Sequence, residues 1–110
     1  MEPLFEAVLK DDATLARLLK ATPEAVAVRC QSDQFVEGVP HWLYVGDTAL
    51  HMAAAALKLP AAKALLDAGA DANAANRRGA TALHYACDPR PHSGGAWDPQ
   101  TQKLLLALLA

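Results

Sequence analysis

The sequence predicts an all-α domain of short helix pairs stacked side by side, and three observations predict it. The 110 residues include 25 Ala and 17 Leu, no Ile and only 6 aromatics, a balance of helix formers over strand formers. The segment Gly46-Asp47-Thr48-Ala49-Leu50-His51-Met52-Ala53 recurs as Gly79-Ala80-Thr81-Ala82-Leu83-His84-Tyr85-Ala86, an offset of 33 residues with two substitutions; a period of that length marks a repeat architecture. Within the unit, Leu50, Ala53, Ala54 and Leu57 fall at helical spacing, and so do Ala61, Ala64, Leu65 and Ala68. Small side chains let such helices approach closely, and a chain of this length makes one domain that buries about two-thirds of its unfolded surface.

In chain order, residues 1–30 read as a degenerate first unit. Pro3-Leu4-Phe5-Glu6-Ala7 and the stretch from Leu15 to Leu19 supply its two helices, with Phe5 standing where His51 stands in the full copy. Leu19 and Leu66 are 47 residues apart instead of 33, so about fourteen residues are inserted, and residues 30–45 form the loop. There Phe35, Val36, Val39, Leu43 and Val45 surround Gly38-Val39-Pro40, a pattern compatible with a small hairpin.

Residues 46–78 make a complete unit. Thr48 precedes its first helix, where a hydroxyl can accept a hydrogen bond from an orphan N–H. Pro60 suits the first turn of the second helix, and Gly69 stands where a left-handed C-cap is wanted. Asp71, Asn73, Asn76 and Gly79 supply the turn that leads to the next helix. Residues 79–110 begin a further unit, interrupted at 88–99 by a segment with three Pro and two Gly that cannot continue a helix. Lys103 to Ala110 matches a second helix, but no counterpart of Gly69-Ala70-Asp71 follows it. The expectation is a fragment of a longer array, incomplete at its C-terminus, or a stack with an uncapped apolar end.

The T-x-L-H segments beginning at Thr48 and Thr81, with Leu65-Leu66-Asp67-Ala68-Gly69-Ala70-Asp71-Ala72-Asn73 between them, resemble the ankyrin repeat family. The resemblance implies an ankyrin-repeat solenoid of helix-turn-helix units with β-turn-like fingers, and an N-terminal capping repeat at residues 1–30. It implies structural roles for Gly46, Gly69 and Gly79, and hydrogen-bonded pairs Thr48 with His51 and Thr81 with His84. It also implies a non-catalytic scaffold, without cofactor or metal, that binds another protein through its fingers and the concave face of the first helices. Carried over position by position, the variable surface falls at Tyr44, Val45, Asp47, Ala55, Ala56, Arg77, Arg78, Ala80 and Asp88.

Arg77 and Arg78 could clamp a carboxylate or phosphate, because a guanidinium offers a planar fork of donors; a solvated turn is the bland alternative. Phe35, Trp42 and Tyr44 crowd one loop, and aromatic anchors build interfaces, although a long insertion also folds a Trp back onto its scaffold to stay ordered. Trp97 either pins the second loop or reaches a partner, and pinning is the expectation. A rival reading gathers His84, Cys87, His92 and Asp88 into a metal or enzyme site, but the spacing fits no usual zinc pattern, His84 is already assigned to Thr81, and Cys87 reads as a small buried hydrophobe. Another is self-association through the run 104–109, which carries Leu104, Leu105, Leu106, Leu108 and Leu109.

A formal charge of −2 gives no basic footprint for nucleic acid or an anionic membrane surface. The first residues, with Glu2 and Glu6, lack the basic and apolar regions of a signal peptide. Two cysteines are too few for a disulfide framework, so a reducing cytoplasm is the expected location, with export as an effector the alternative.

Overall fold

A computed structural model describes residues 3–10, 12–31, 34–35, 42–87 and 99–109. Six helices follow in order: α1 (Pro3–Lys10), α2 (Asp12–Ala21), α3 (Ala49–Ala55), α4 (Leu59–Asp67), α5 (Ala82–Cys87) and α6 (Pro99–Leu109). The first members of the pairs, α1, α3 and α5, stack in one row, and α2, α4 and α6 stack in a second. This is the expected all-α solenoid: each pair buries one face against its neighbour.

Alanine makes the close packing possible. Ala49, Ala53, Ala54, Ala55, Ala61, Ala62, Ala82 and Ala86 are all buried, and larger side chains from each layer, Phe5, Leu15, Leu50, Met52, Leu65 and Leu105, fill the space between helices. Leu83 does not match its equivalent Leu50: it is only half-buried.

The helix expected to run through Leu57 stops at Ala55. Leu57 takes a left-handed conformation, φ 54°, and its N–H donates to Ala54 O at 3.2 Å while Lys58 N–H donates to Ala53 O at 2.8 Å. That is the two-bond Schellman stop, which usually has glycine at this place, as Gly69 (φ 102°) does after α4. A leucine there costs about 1–2 kcal/mol of backbone strain. Burial of its side chain, 8% exposed, offsets this by about 1.5–3 kcal/mol.

The first insertion is partly structured. A 3-10 turn, Pro23–Ala27, follows α2, and β1 (Gln34–Phe35) pairs antiparallel with β2 (Trp42–Leu43), Gln34 opposite Leu43 and Phe35 opposite Trp42. This ladder agrees with the hairpin pattern, although the residues between the strands lie outside the described ones, as do 88–98 of the second insertion. Leu43 is fully buried and anchors the returning strand.

Candidate functional site

Turns precede α3 and α5, the first helices of their units. In the first, Asp47 N–H donates to Tyr44 O at 3.0 Å; in the second, Gly79 N–H donates to Asn76 O at 2.9 Å. Gly46 and Gly79 both have left-handed backbones, φ 93° and 82°. At Gly46 a second constraint applies, since a Cβ would stand 3.0 Å from Arg77 N and 3.1 Å from Asn76 Cα.

The fingers are laced together by backbone bonds. Cys30 N–H donates to Asp47 O at 2.7 Å, Gly46 N–H to Cys30 O at 2.9 Å, and Arg77 N–H to Val45 O at 3.1 Å. Arg29 adds a side-chain tie, with Nη1 donating to Gly46 O at 2.9 Å and Ala75 O at 2.8 Å. Arg29 and Cys30, where the insertion begins, thus brace the first finger, a role that no sequence motif marked.

Beneath the fingers lies a polar cluster. Asp47, read from the sequence as surface, is fully buried. Its Oδ2 accepts from Tyr44 N–H at 2.8 Å and from the Tyr85 hydroxyl at 2.6 Å, and its Oδ1 accepts from Asn76 Nδ2 at 2.8 Å. A buried carboxylate is tolerable only with such partners. Burial, and then the Asp47 carboxylate, push the Tyr85 phenol far above its ordinary range. Asn76 uses the rest of its amide on the second finger, with Oδ1 accepting from Arg78 N–H at 2.9 Å and Ala80 N–H at 3.0 Å.

Both Thr–His pairs form. His51 Nδ1 accepts from Thr48 N–H at 3.0 Å and lies 3.0 Å from Thr48 Oγ1, while His51 N–H reaches back to Thr48 Oγ1 at 3.4 Å. With Nδ1 accepting, the proton belongs on Nε2, which donates to Ala80 O at 2.9 Å and so ties one unit to the next. Burial pushes the His51 imidazole below its usual value, outweighing the opposing pull of the Ala80 carbonyl and of Asp47. Thr81 and His84 repeat the first two contacts at 3.0 and 2.9 Å, but His84 is exposed.

The expected surface set therefore divides. Arg77 and Arg78 are exposed, and Tyr44, Val45, Ala56 and Ala80 are half-buried. Asp47 and Ala55 are corrections: both are fully buried, Asp47 inside the polar cluster and Ala55 at the end of α3 against the core. The Trp42 and Phe35 side chains, Asp88, His92 and Trp97 lie outside what is described. Cys87, expected inside, is exposed, whereas Cys30 is buried. Among the described residues no three His, Cys, Asp or Glu gather into a group able to hold a metal ion, and no helix is long and apolar enough to cross a membrane.

Side chains of the two fingers meet. Arg78 Cζ stands 4.2 Å from the centre of the Tyr44 ring, joining the first finger to the second. Below them opens a groove of about 390 Å³ lined in part by Tyr44, Asn76, Arg78, His84 and Tyr85.

Comparisons with known proteins agree with this architecture. A family model for ankyrin repeats, described as three copies, matches residues 4–93. The Neurogenic locus Notch protein of Drosophila melanogaster is 56% identical over 41 residues, which cover 37% of this chain and 2% of that protein. The match thus spans only a small part of that relative's length. No solved structure matches the chain.

Proposed function

The chain belongs to the ankyrin repeat family, and from that premise we propose that it is a non-catalytic scaffold binding another protein through its finger turns and the adjoining concave face. Ankyrin repeats are in general protein–protein interaction modules and are typically non-catalytic. The observation that carries the reading is the contact of Arg78 with Tyr44 above a satisfied base. Two successive fingers present one joined surface, while Asp47, Asn76 and Tyr85 hold its floor by buried hydrogen bonds. A surface fixed in this way loses little conformational entropy on binding. Tyr44, Val45, Arg77, Arg78 and Ala80 form the recognition set, with Ala56, Trp42 and Asp88 as outlying candidates.

The experiment is affinity capture from lysate, comparing the chain with the triple variant Tyr44→Ala, Arg77→Ala, Arg78→Ala, folded by circular dichroism. Proteins retained only by the unmodified chain support recognition through the fingers. Identical retention by both forms, or none by either, contradicts it.

A second reading is self-association, favoured by Leu104, which is 47% exposed on α6. Sedimentation of Leu104→Lys beside the unmodified chain tests it: a concentration-dependent dimer lost in the variant is the expected result, and monomers in both contradict it.

A further inference from the structure

We propose that the groove between the fingers takes an acidic side chain, Asp or Glu, of a partner protein. This rests on the reading that the finger surface binds protein, and it names the chemistry of the ligand.

Two donors face this groove without acceptors among the described residues. The first is the Arg78 guanidinium: the residue's backbone N–H donates to Asn76 Oδ1 at 2.9 Å, and the guanidinium lies over the Tyr44 ring at 4.2 Å. The second is His84 Nε2. Because Nδ1 accepts from Thr81 N–H, the proton lies on Nε2. In the preceding unit the equivalent Nε2 of His51 donates to the Ala80 carbonyl oxygen of the unit that follows, at 2.9 Å.

No described lining residue offers a matching negative charge. Asp47, which bonds three of the lining residues, is fully buried, with both oxygens taken by Tyr44, Asn76 and Tyr85. The groove is thus a donor-rich pocket with one preorganised cation. A carboxylate fits the guanidinium fork with two parallel hydrogen bonds. With its Cζ over the Tyr44 ring, the guanidinium keeps its donors without an acceptor among the described residues.

The test is selection from a library of short random peptides displayed on phage, run against the whole chain and against Arg78→Glu. The unmodified chain is expected to enrich peptides with Asp or Glu at one fixed position, and the variant to enrich Lys or Arg there. A synthetic peptide of the enriched sequence should lose about tenfold in affinity when its Glu becomes Gln, and Arg78→Gln should lose a similar factor toward the Glu peptide. Tyr44→Leu, which keeps the cation but removes its platform, should lose a smaller factor. Thermal melts by circular dichroism establish that each variant is folded.

Enrichment without an acidic position overturns the proposal while leaving protein recognition at the fingers standing. An acidic preference that survives Arg78→Glu, or no enrichment at all, also overturns it, and the capture experiment then decides the wider reading alone. A phosphoserine peptide binding about tenfold tighter than the Glu peptide would reassign the site to phosphate and overturn the choice of a carboxylate.

Discussion

Asn76 Nδ2 donates to Asp47 Oδ1 at 2.8 Å across 29 positions of sequence, and the same amide donates to the Tyr85 hydroxyl at 2.9 Å. One side chain therefore binds the floor of the first finger to the helix of the second. Asp47→Ala strands two buried donors and the Tyr44 N–H, and should cost about 2–4 kcal/mol in urea unfolding. Asn76→Asp, which sets a second carboxylate against the first, should cost more than Asn76→Ala. The reverse order would show that the amide acts mainly through Arg78 and Ala80.

The two finger glycines should differ. An alanine forced into the left-handed region costs about 1–2 kcal/mol, and Gly79→Ala should show that loss alone. Gly46→Ala adds a methyl 3.0 Å from the Arg77 nitrogen and 3.1 Å from Asn76 Cα, both backbone atoms that cannot swing aside. Its melting temperature should fall further; equal falls would mean that the fingers separate easily.

Gly79 was legible in the sequence as turn chemistry, while the structural role of Gly46 and the Thr–His pairs were legible through the ankyrin resemblance. Asp47 was not legible. Its copy is Ala80, and a position that differs between copies looks like surface. The partners that keep its charge inside, Asn76 and Tyr85, lie far along the chain. One signal was available: Tyr85 replaces Met52 in the other difference between the copies, and the two unmatched residues bond to each other. Arg29 and Leu57 gave no signal, since their roles depend on where carbonyl groups and core space fall in three dimensions.

Acid should weaken the fold through His51. The neutral imidazole is favoured in the folded state, so its pKa lies below the unfolded value of about 6.5. Above that pH its contribution is fully present; as pH falls below it, the unfolded chain takes up a proton that the folded one refuses, and stability declines toward the depressed folded value, by up to about 1.4 kcal/mol per pH unit. Urea midpoints between pH 7 and about 5.5 should fall for the unmodified chain. His51→Gln, although less stable throughout, should lose most of that slope; an unchanged slope would assign it to other groups.

The repeat equates Leu50 with Leu83, but their burial separates them. Leu50, 1% exposed, should cost about 2–5 kcal/mol when cut to alanine. Leu83, half-buried, should cost markedly less in the same urea titration. Equal losses would indicate that the segment after α5 covers Leu83.

The central claim is that the finger side chains Tyr44, Arg77 and Arg78 recognise while the buried cluster beneath them holds the fold. Urea unfolding of the triple variant Tyr44→Ala, Arg77→Ala, Arg78→Ala beside Asp47→Ala tests this division most directly. The triple variant should stay within about 1 kcal/mol of the unmodified chain, the scale of a surface cation–π contact, while Asp47→Ala loses several times as much. Equal losses would contradict the account, because the side chains assigned to recognition would then be part of what holds the fingers in place.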